Sequence, residues 1–163
     1  MNAPVRWIEG LAPGRLAVGR CPLGRHLEET VISWQQSGVH CVASLLCPSE
    51  IVELGLEREA ELCAAHGMEF LAFPVPDHSV PQSMRDTRAF ALRLQGLLAR
   101  EKSVFVHCRA GIGRSVVIAA CVMVLNGTKP EDAFARIGAA RGYFDVPETN
   151  EQRNWVLEFA GRL

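Results

Sequence analysis

At 163 residues the chain is long enough for one domain with a substantial core, and 48% apolar with 21% charged residues is ordinary globular composition. A formal net charge of −1 gives no global attraction to nucleic acid or to an anionic membrane, so any recognition of an anion must be local. The longest apolar run, residues 116–125, is too short to span a bilayer, and Met1-Asn2-Ala3-Pro4 lacks the basic-then-apolar pattern of a signal peptide.

In chain order, residues 6–8 and 16–18 are expected as short strands around the turn Ala12-Pro13-Gly14. Residues 26–36 follow as a helix stopped by Gly38, and 39–46 as a buried apolar strand. Residues 48–65 are helical in composition with a break near Gly55, and 68–75 form a second strong strand ended by two prolines. Ser83 with Asp86 three residues on caps a helix marked by Met84, Ala91, Leu94 and Leu98. Residues 103–107 form a third strong strand, and 114–125, apolar on every side, a central buried helix ended by Asn126-Gly127. Thr128 and Glu131 are expected to cap a helix running to Arg141, with Pro130 in its first turn. Residues 148–163 close the chain, with Gln152, Trp155, Val156, Phe159 and Leu163 on one face. No repeat or linker interrupts the chain, so one domain over residues 1–163 is expected. Strands separated by helices imply an α/β fold, with a central, mostly parallel sheet of four to five strands flanked by helices.

The six cysteines lie in or beside apolar segments without the spacing of a small secreted scaffold, and neither C-x-x-C nor H-x3-H occurs. Reduced, mostly buried thiols in a cytoplasmic protein are the expectation, with no metal site and no cofactor. Arg85, Arg88, Arg93, Arg100 and Lys102 fall on or just after one helix, either as its solvated face or as a basic surface that steers anions.

The most informative stretch is His107-Cys108-Arg109-Ala110-Gly111-Ile112-Gly113-Arg114-Ser115. It lies between a strand and an apolar helix, an order that curls backbone N–H groups into an anion-binding nest at a helix N-terminus. A guanidinium, loop amides and a positive helix end all favour thiolate over thiol, so one element supplies a nucleophile, Cys108, and a cradle for a tetrahedral dianion. Arg114 is the candidate phosphate clamp, its planar fork matched to two equatorial oxygens. The loop residues Arg109, Ala110, Gly111, Ile112 and Gly113 complete the phosphate-binding set. Gly111 and Gly113 allow positive φ or close backbone approach to a ligand.

The pattern HC-x5-RS resembles the signature of the cysteine-dependent protein tyrosine phosphatase superfamily. The size resembles its small dual-specificity branch, over nearly the whole chain. The resemblance implies a phosphomonoesterase working through a phosphocysteine on Cys108, with His107 bracing the loop and Ser115 donating to the sulfur. It also identifies Phe73-Pro74-Val75-Pro76-Asp77-His78-Ser79-Val80-Pro81 as the acid loop. Asp77, 31 positions before Cys108, is then the proton donor, with His78 its local competitor. Residues 148–152, Glu148-Thr149-Asn150-Glu151-Gln152, resemble the element in which Gln152 orients the hydrolytic water; Glu148 is a weaker candidate there. Cys47 stands where some relatives carry a cysteine that forms a reversible disulfide with the nucleophile.

The chain lacks the K-N-R-Y-like segment of the tyrosine-specific enzymes, and Arg141-Gly142-Tyr143 replaces an R-P pair. A shallower cleft follows, open to phosphotyrosine and also to phosphoserine or phosphothreonine. The expected partner is a phosphorylated protein or peptide bound by a monomer, with no membrane and no nucleic acid. The rivals are the same chemistry on an RNA 5′-phosphate or a phosphoinositide, a silent phosphate-binding module, and a sulfurtransferase or arsenate reductase.

Overall fold

The computed structural model describes residues 4–163. Among them, four parallel strands stand in the order β1 (Leu16–Arg20), β4 (Val104–Cys108), β2 (Cys41–Ser44) and β3 (Glu69–Ala72). Helices α1 (Leu27–Gln36), α2 (Pro48–Glu53) and α3 (Glu59–Ala65) lie before β3 in the chain. Helix α4 (Met84–Ala99) leads to β4, and α5 (Arg114–Leu125), α6 (Pro130–Arg141) and α7 (Asn150–Gly161) follow it. The expected α/β architecture is the one found, with the sheet wholly parallel.

Two apolar clusters sandwich the sheet. Val104, Val106 and Cys108 of β4 pack with residues of α4 to α7, whereas Phe105 packs with Trp34 of α1 and with Leu62 and Cys63 of α3. Successive side chains of a strand point to opposite faces, so a central parallel strand reads as one continuous buried run. Helix α5 explains its all-round apolar sequence in the same way: residues 114–124 are all buried.

Four expectations about the elements are corrected. Residues 6–8 make no strand; Trp7 alone bridges Ala17, on the edge of β1 away from β4. Lys129, not Thr128, is the N-cap of α6, and it makes no side-chain cap. Pro130 disfavours helical backbone at the residue before it, leaving Lys129 extended, while the Thr128 amide is spent on the Met123 carbonyl. Leu163 lies beyond α7 and is exposed, so the buried face of that helix is Gln152, Val156 and Phe159 with Trp155 at its margin. The expected strands at 39–46 and 68–75 are trimmed to four residues each, because their apolar flanks are buried as loops. Ser83 caps α4 as expected, its Oγ accepting from the Asp86 amide at 3.0 Å.

What matters for chemistry is that every strand of a parallel sheet ends on the same edge. The segments after β1, β2, β3 and β4 all emerge there, where open α/β sheets bind ligands.

Candidate active site

Strand β4 ends at Cys108, and the next five residues turn back to start α5 at Arg114. The turn depends on Gly111, which has φ 76°; a Cβ there would meet the Gly19 carbonyl carbon at 2.5 Å. Gly113 has ordinary negative φ, and its need is space, since a Cβ would come within 2.8 Å of Glu148 Oε1. The Gly111 amide donates to Cys108 Sγ at 3.3 Å, and Ser115 Oγ lies 3.2 Å from the same sulfur. His107 Nδ1 is 3.3 Å from the Cys108 carbonyl oxygen. Cys108, a loop amide, Ser115 and His107 are thus brought together.

Arg114 is only 2% exposed although it carries a full charge, and its partners explain how. Nη1 donates to Glu50 Oε1 at 2.7 Å and to the Val75 carbonyl at 2.8 Å, and Nη2 donates to Glu50 Oε2 at 3.0 Å. Asp77 Oδ1 lies 2.9 Å from the same Nη2. The guanidinium is therefore aimed by a bidentate carboxylate from α2 and shared with the aspartate of the 73–81 loop.

Sequence reasoning missed Glu50. Its only local signal is a place in the first turn of α2, where its Oε1 also accepts from the Cys47 amide at 3.0 Å. Desolvation pushes its carboxyl up, but hydrogen bonds from Arg114 and the Cys47 amide, with the charges of Arg114 and Arg109, win and hold it below the usual value. A depressed folded value gives stability that is complete above the ordinary carboxylate range and is lost as pH falls through the folded value. Glu50→Gln is therefore expected to destabilise the chain by about 1–3 kcal/mol near neutral pH. The gap should narrow as pH falls below the ordinary carboxylate range, since the parent then begins to lose the same contribution; denaturant unfolding of both proteins over a falling pH series checks this.

Asp77 is 37% exposed by side chain and stands at the mouth. The loop that carries it is tied down at two later points. His78, with φ 60°, contacts Glu148 Oε1 at 3.0 Å, and the Ser79 carbonyl accepts from Gln152 Nε2 at 3.1 Å. Gln152 is fully buried, so its amide does point inward, where a Cβ on Gly113 would meet it. Its Oε1 closes a capping box with Thr149 at 3.2 Å. Nε2 thus joins α7 to the 73–81 loop, while Oε1 is spent on the N-cap of α7 itself.

Arg109 reaches Glu53 at 3.3 Å on the exposed rim. Arg141 was noticed in the sequence only as a departure, yet it braces the loop: Nε donates to the Gly111 carbonyl at 2.9 Å and Nη2 to the Ala110 carbonyl at 3.1 Å. Gly142, with φ 78°, ends α6 immediately afterwards. Cys47 is the N-cap of α2 beside the Glu50–Arg114 pair. Burial, then the Glu50 charge, pushes its thiol up against the opposing pull of Arg114.

Asp77, His78, Cys108, Arg109, Ala110, Gly113, Arg114 and Glu148 line a cleft of about 340 Å³. At its rim the donor atoms of Asp77, His78 and Glu148 lie within 4.8 Å of one another, a composition able to hold a cation. Those donors are already engaged, His78 with Glu148 and Asp77 with Arg114. The cleft can hold a tetrahedral anion against loop amides and a guanidinium, with a sulfur below it and a carboxyl above.

Residues 24–128 match the family described as "Polymorphic toxin system, DSP-PTPase phosphatase". The chain is 23% identical over 141 residues to cyclin-dependent kinase inhibitor 3 of Rattus norvegicus, covering 85% of this chain and 66% of that protein, just short of two thirds of its length. The fold superposes with TM-score 0.85 on a crystal structure of kinase associated phosphatase carrying serine for its catalytic-site cysteine, at 18% identity over 100% of this chain and 98% of the other. It superposes with TM-score 0.79 on the active form of Tk-PTP, at 24% identity over 100% of both chains.

Proposed function

The chain belongs to the DSP-PTPase phosphatase family, and from that premise we propose that it hydrolyses phosphomonoesters of tyrosine, and of serine and threonine, in proteins or peptides. Cys108 attacks phosphorus in line as the thiolate, giving a phosphocysteine and splitting hydrolysis into two easier steps. Loop amides and Arg114 hold the three equatorial oxygens, and their grip tightens as charge moves onto them in the transition state. Ser115, 3.2 Å from the sulfur, donates to it and eases its departure in the second step.

The observation that carries the reading is the sharing of one guanidinium between Glu50 and Asp77. An arriving phosphoryl group competes with Asp77 for Nη2, while Glu50 keeps the guanidinium aimed. The displaced carboxyl sits above the cleft, where a leaving oxygen needs a proton. Asp77 then takes a proton from the water that attacks the phosphocysteine. The tie from Gln152 to Ser79 holds this loop over the cleft during both steps.

A phosphoprotein substrate is favoured by the open mouth, with Asp77 and His78 exposed on its rim, and by the kinship with cyclin-dependent kinase inhibitor 3. No helix among the described residues is long and apolar enough to cross a membrane. Asp77→Asn separates the steps of the mechanism. Its rate on an aryl phosphate with a good leaving group should fall about tenfold or less, and on phosphotyrosine or phosphoserine peptides about 10²–10³-fold. Equal losses on both would remove Asp77 as the acid. Asp77→Ala used to capture partners from lysate tests the substrate class, and recovery of nothing phosphorylated would overturn a protein substrate.

A further inference from the structure

Glu59 is a buried carboxylate, 2% exposed, that the mechanism above leaves unused. It lies in the first turn of α3 and reaches across to β4, where its Oε2 is 2.6 Å from His107 Nε2. His107 is fully buried, and the pleat of β4 turns its ring away from Cys108 toward α1 and α3. Trp34 of α1 stacks on the ring at 5.9 Å between centroids, and Phe105 stands at 6.2 Å.

Each ring nitrogen of His107 therefore faces an acceptor: Nδ1 the carbonyl oxygen of Cys108, Nε2 the carboxylate of Glu59. A carbonyl oxygen can only accept. An ionised carboxylate can only accept. Facing an ionised Glu59, a neutral imidazole with its single N–H would leave one of these two contacts without a proton. In a site closed to water, that is the costly outcome. The indole face stacked on the ring is the surface that attracts a cation. The other titratable groups nearby are Cys108 itself, Cys63 on α3, whose thiol burial and then the Glu59 charge push up to about 12, and Cys21, which follows β1. The Cys21 thiol is pushed up to about 11 by burial first and the Glu59 charge second.

We propose that Glu59 is a positioning residue for the phosphatase reaction: it keeps His107 protonated on both ring nitrogens and so maintains a fixed positive charge behind Cys108. The assignment rests on the reading of Cys108 as nucleophile. The imidazolium donates along Nδ1–H to the Cys108 carbonyl and fixes the backbone at the point where β4 turns into the loop. Its charge favours the thiolate from the face of the sheet opposite the phosphate site.

Long-range proton–nitrogen spectra of the parent chain at about pH 7 should show both nitrogens of His107 protonated, and Glu59→Gln should convert the ring to a single tautomer. Alkylation of Cys108 by iodoacetamide should then slow about tenfold at about pH 6 in Glu59→Gln, with the difference shrinking as pH rises. Glu59→Asp, which keeps the charge, should recover part of the lost rate at the lower pH. A neutral imidazole in the parent chain overturns the proposal, as do alkylation profiles of parent and Glu59→Gln that superpose. The spectrum of the parent decides even if the variants do not fold. Hydrolysis of an aryl phosphate, followed on the same samples, keeps the two readings apart. A parent chain without hydrolysis sinks the phosphatase reading, whereas a neutral imidazole in an active chain sinks only the role of Glu59.

Discussion

Cys108→Ser is expected to lower the hydrolysis of an aryl phosphate by about 10⁴-fold or more while leaving the affinity for a phosphopeptide within a few-fold of the parent. The sulfur stands at the floor of the cleft with the Gly111 amide and the Ser115 hydroxyl as its partners, and neither partner holds phosphate by way of the sulfur. A serine oxygen fits the same space but stays protonated near neutral pH, and no general base stands against it to remove the proton. On the proposed reading phosphate is held instead by Arg114 and the loop amides, which the substitution leaves in place. Steady-state assays on the aryl phosphate and calorimetric titration with a phosphopeptide measure the two quantities separately. A parent chain that binds phosphopeptide without hydrolysing any phosphate ester would be a binding module, and a variant that keeps its rate would remove Cys108 from the chemistry.

Arg114→Lys should cost about 10³-fold in kcat, with a much smaller change in KM. The guanidinium makes a two-point contact with Glu50, a third with the Val75 carbonyl and a fourth with Asp77, and this planar fork fits equatorial phosphoryl oxygens. An ammonium is a point charge without a fork. It can satisfy Glu50 or reach into the cleft, but it cannot be aimed by the first while gripping the second. The charge survives, so ground-state attraction for the anion largely survives with it. What disappears is the contact that strengthens as the transition state forms. The same substitution should lower stability by about 1–3 kcal/mol, since the buried Glu50 loses a bidentate partner. Initial-rate kinetics and denaturant unfolding test both parts, and a variant with parent-like kcat would remove Arg114 from transition-state binding.

Much of this site was legible in the chain, for identifiable reasons. Cys108, the loop glycines, Arg114 and Ser115 are contiguous, and a strand–loop–helix segment closes on itself, so its internal geometry follows from local order. Asp77 entered only through the resemblance of its loop, and the fold brings its carboxylate to 2.9 Å from Arg114. Gln152 was legible because its helical spacing places it with Val156 and Phe159 on the buried face of α7. The residues that went unseen share one property: they act across the sheet or between layers. Glu50 looks like any first-turn helix acid until Arg114, 64 positions later, is folded beside it. Glu59 looks like a surface acid on a short helix until it is found 2.6 Å from His107, 48 positions away. Arg141 looks like a basic residue at a helix end, where cations are ordinary, until its guanidinium is seen on two loop carbonyls.

By itself, then, the order of residues in this chain determined the alternation of apolar strands and helices and the anion nest at the start of α5, because both follow from periodicity and from contacts within a few residues. Tertiary structure alone decided which carboxylates aim the guanidinium and which one faces the histidine. The strands are parallel and their register brings all four C-terminal ends to one edge, so residues far apart in sequence become neighbours. A charge is drawn into that edge only where another charge is already held to meet it, and no local pattern records such a meeting.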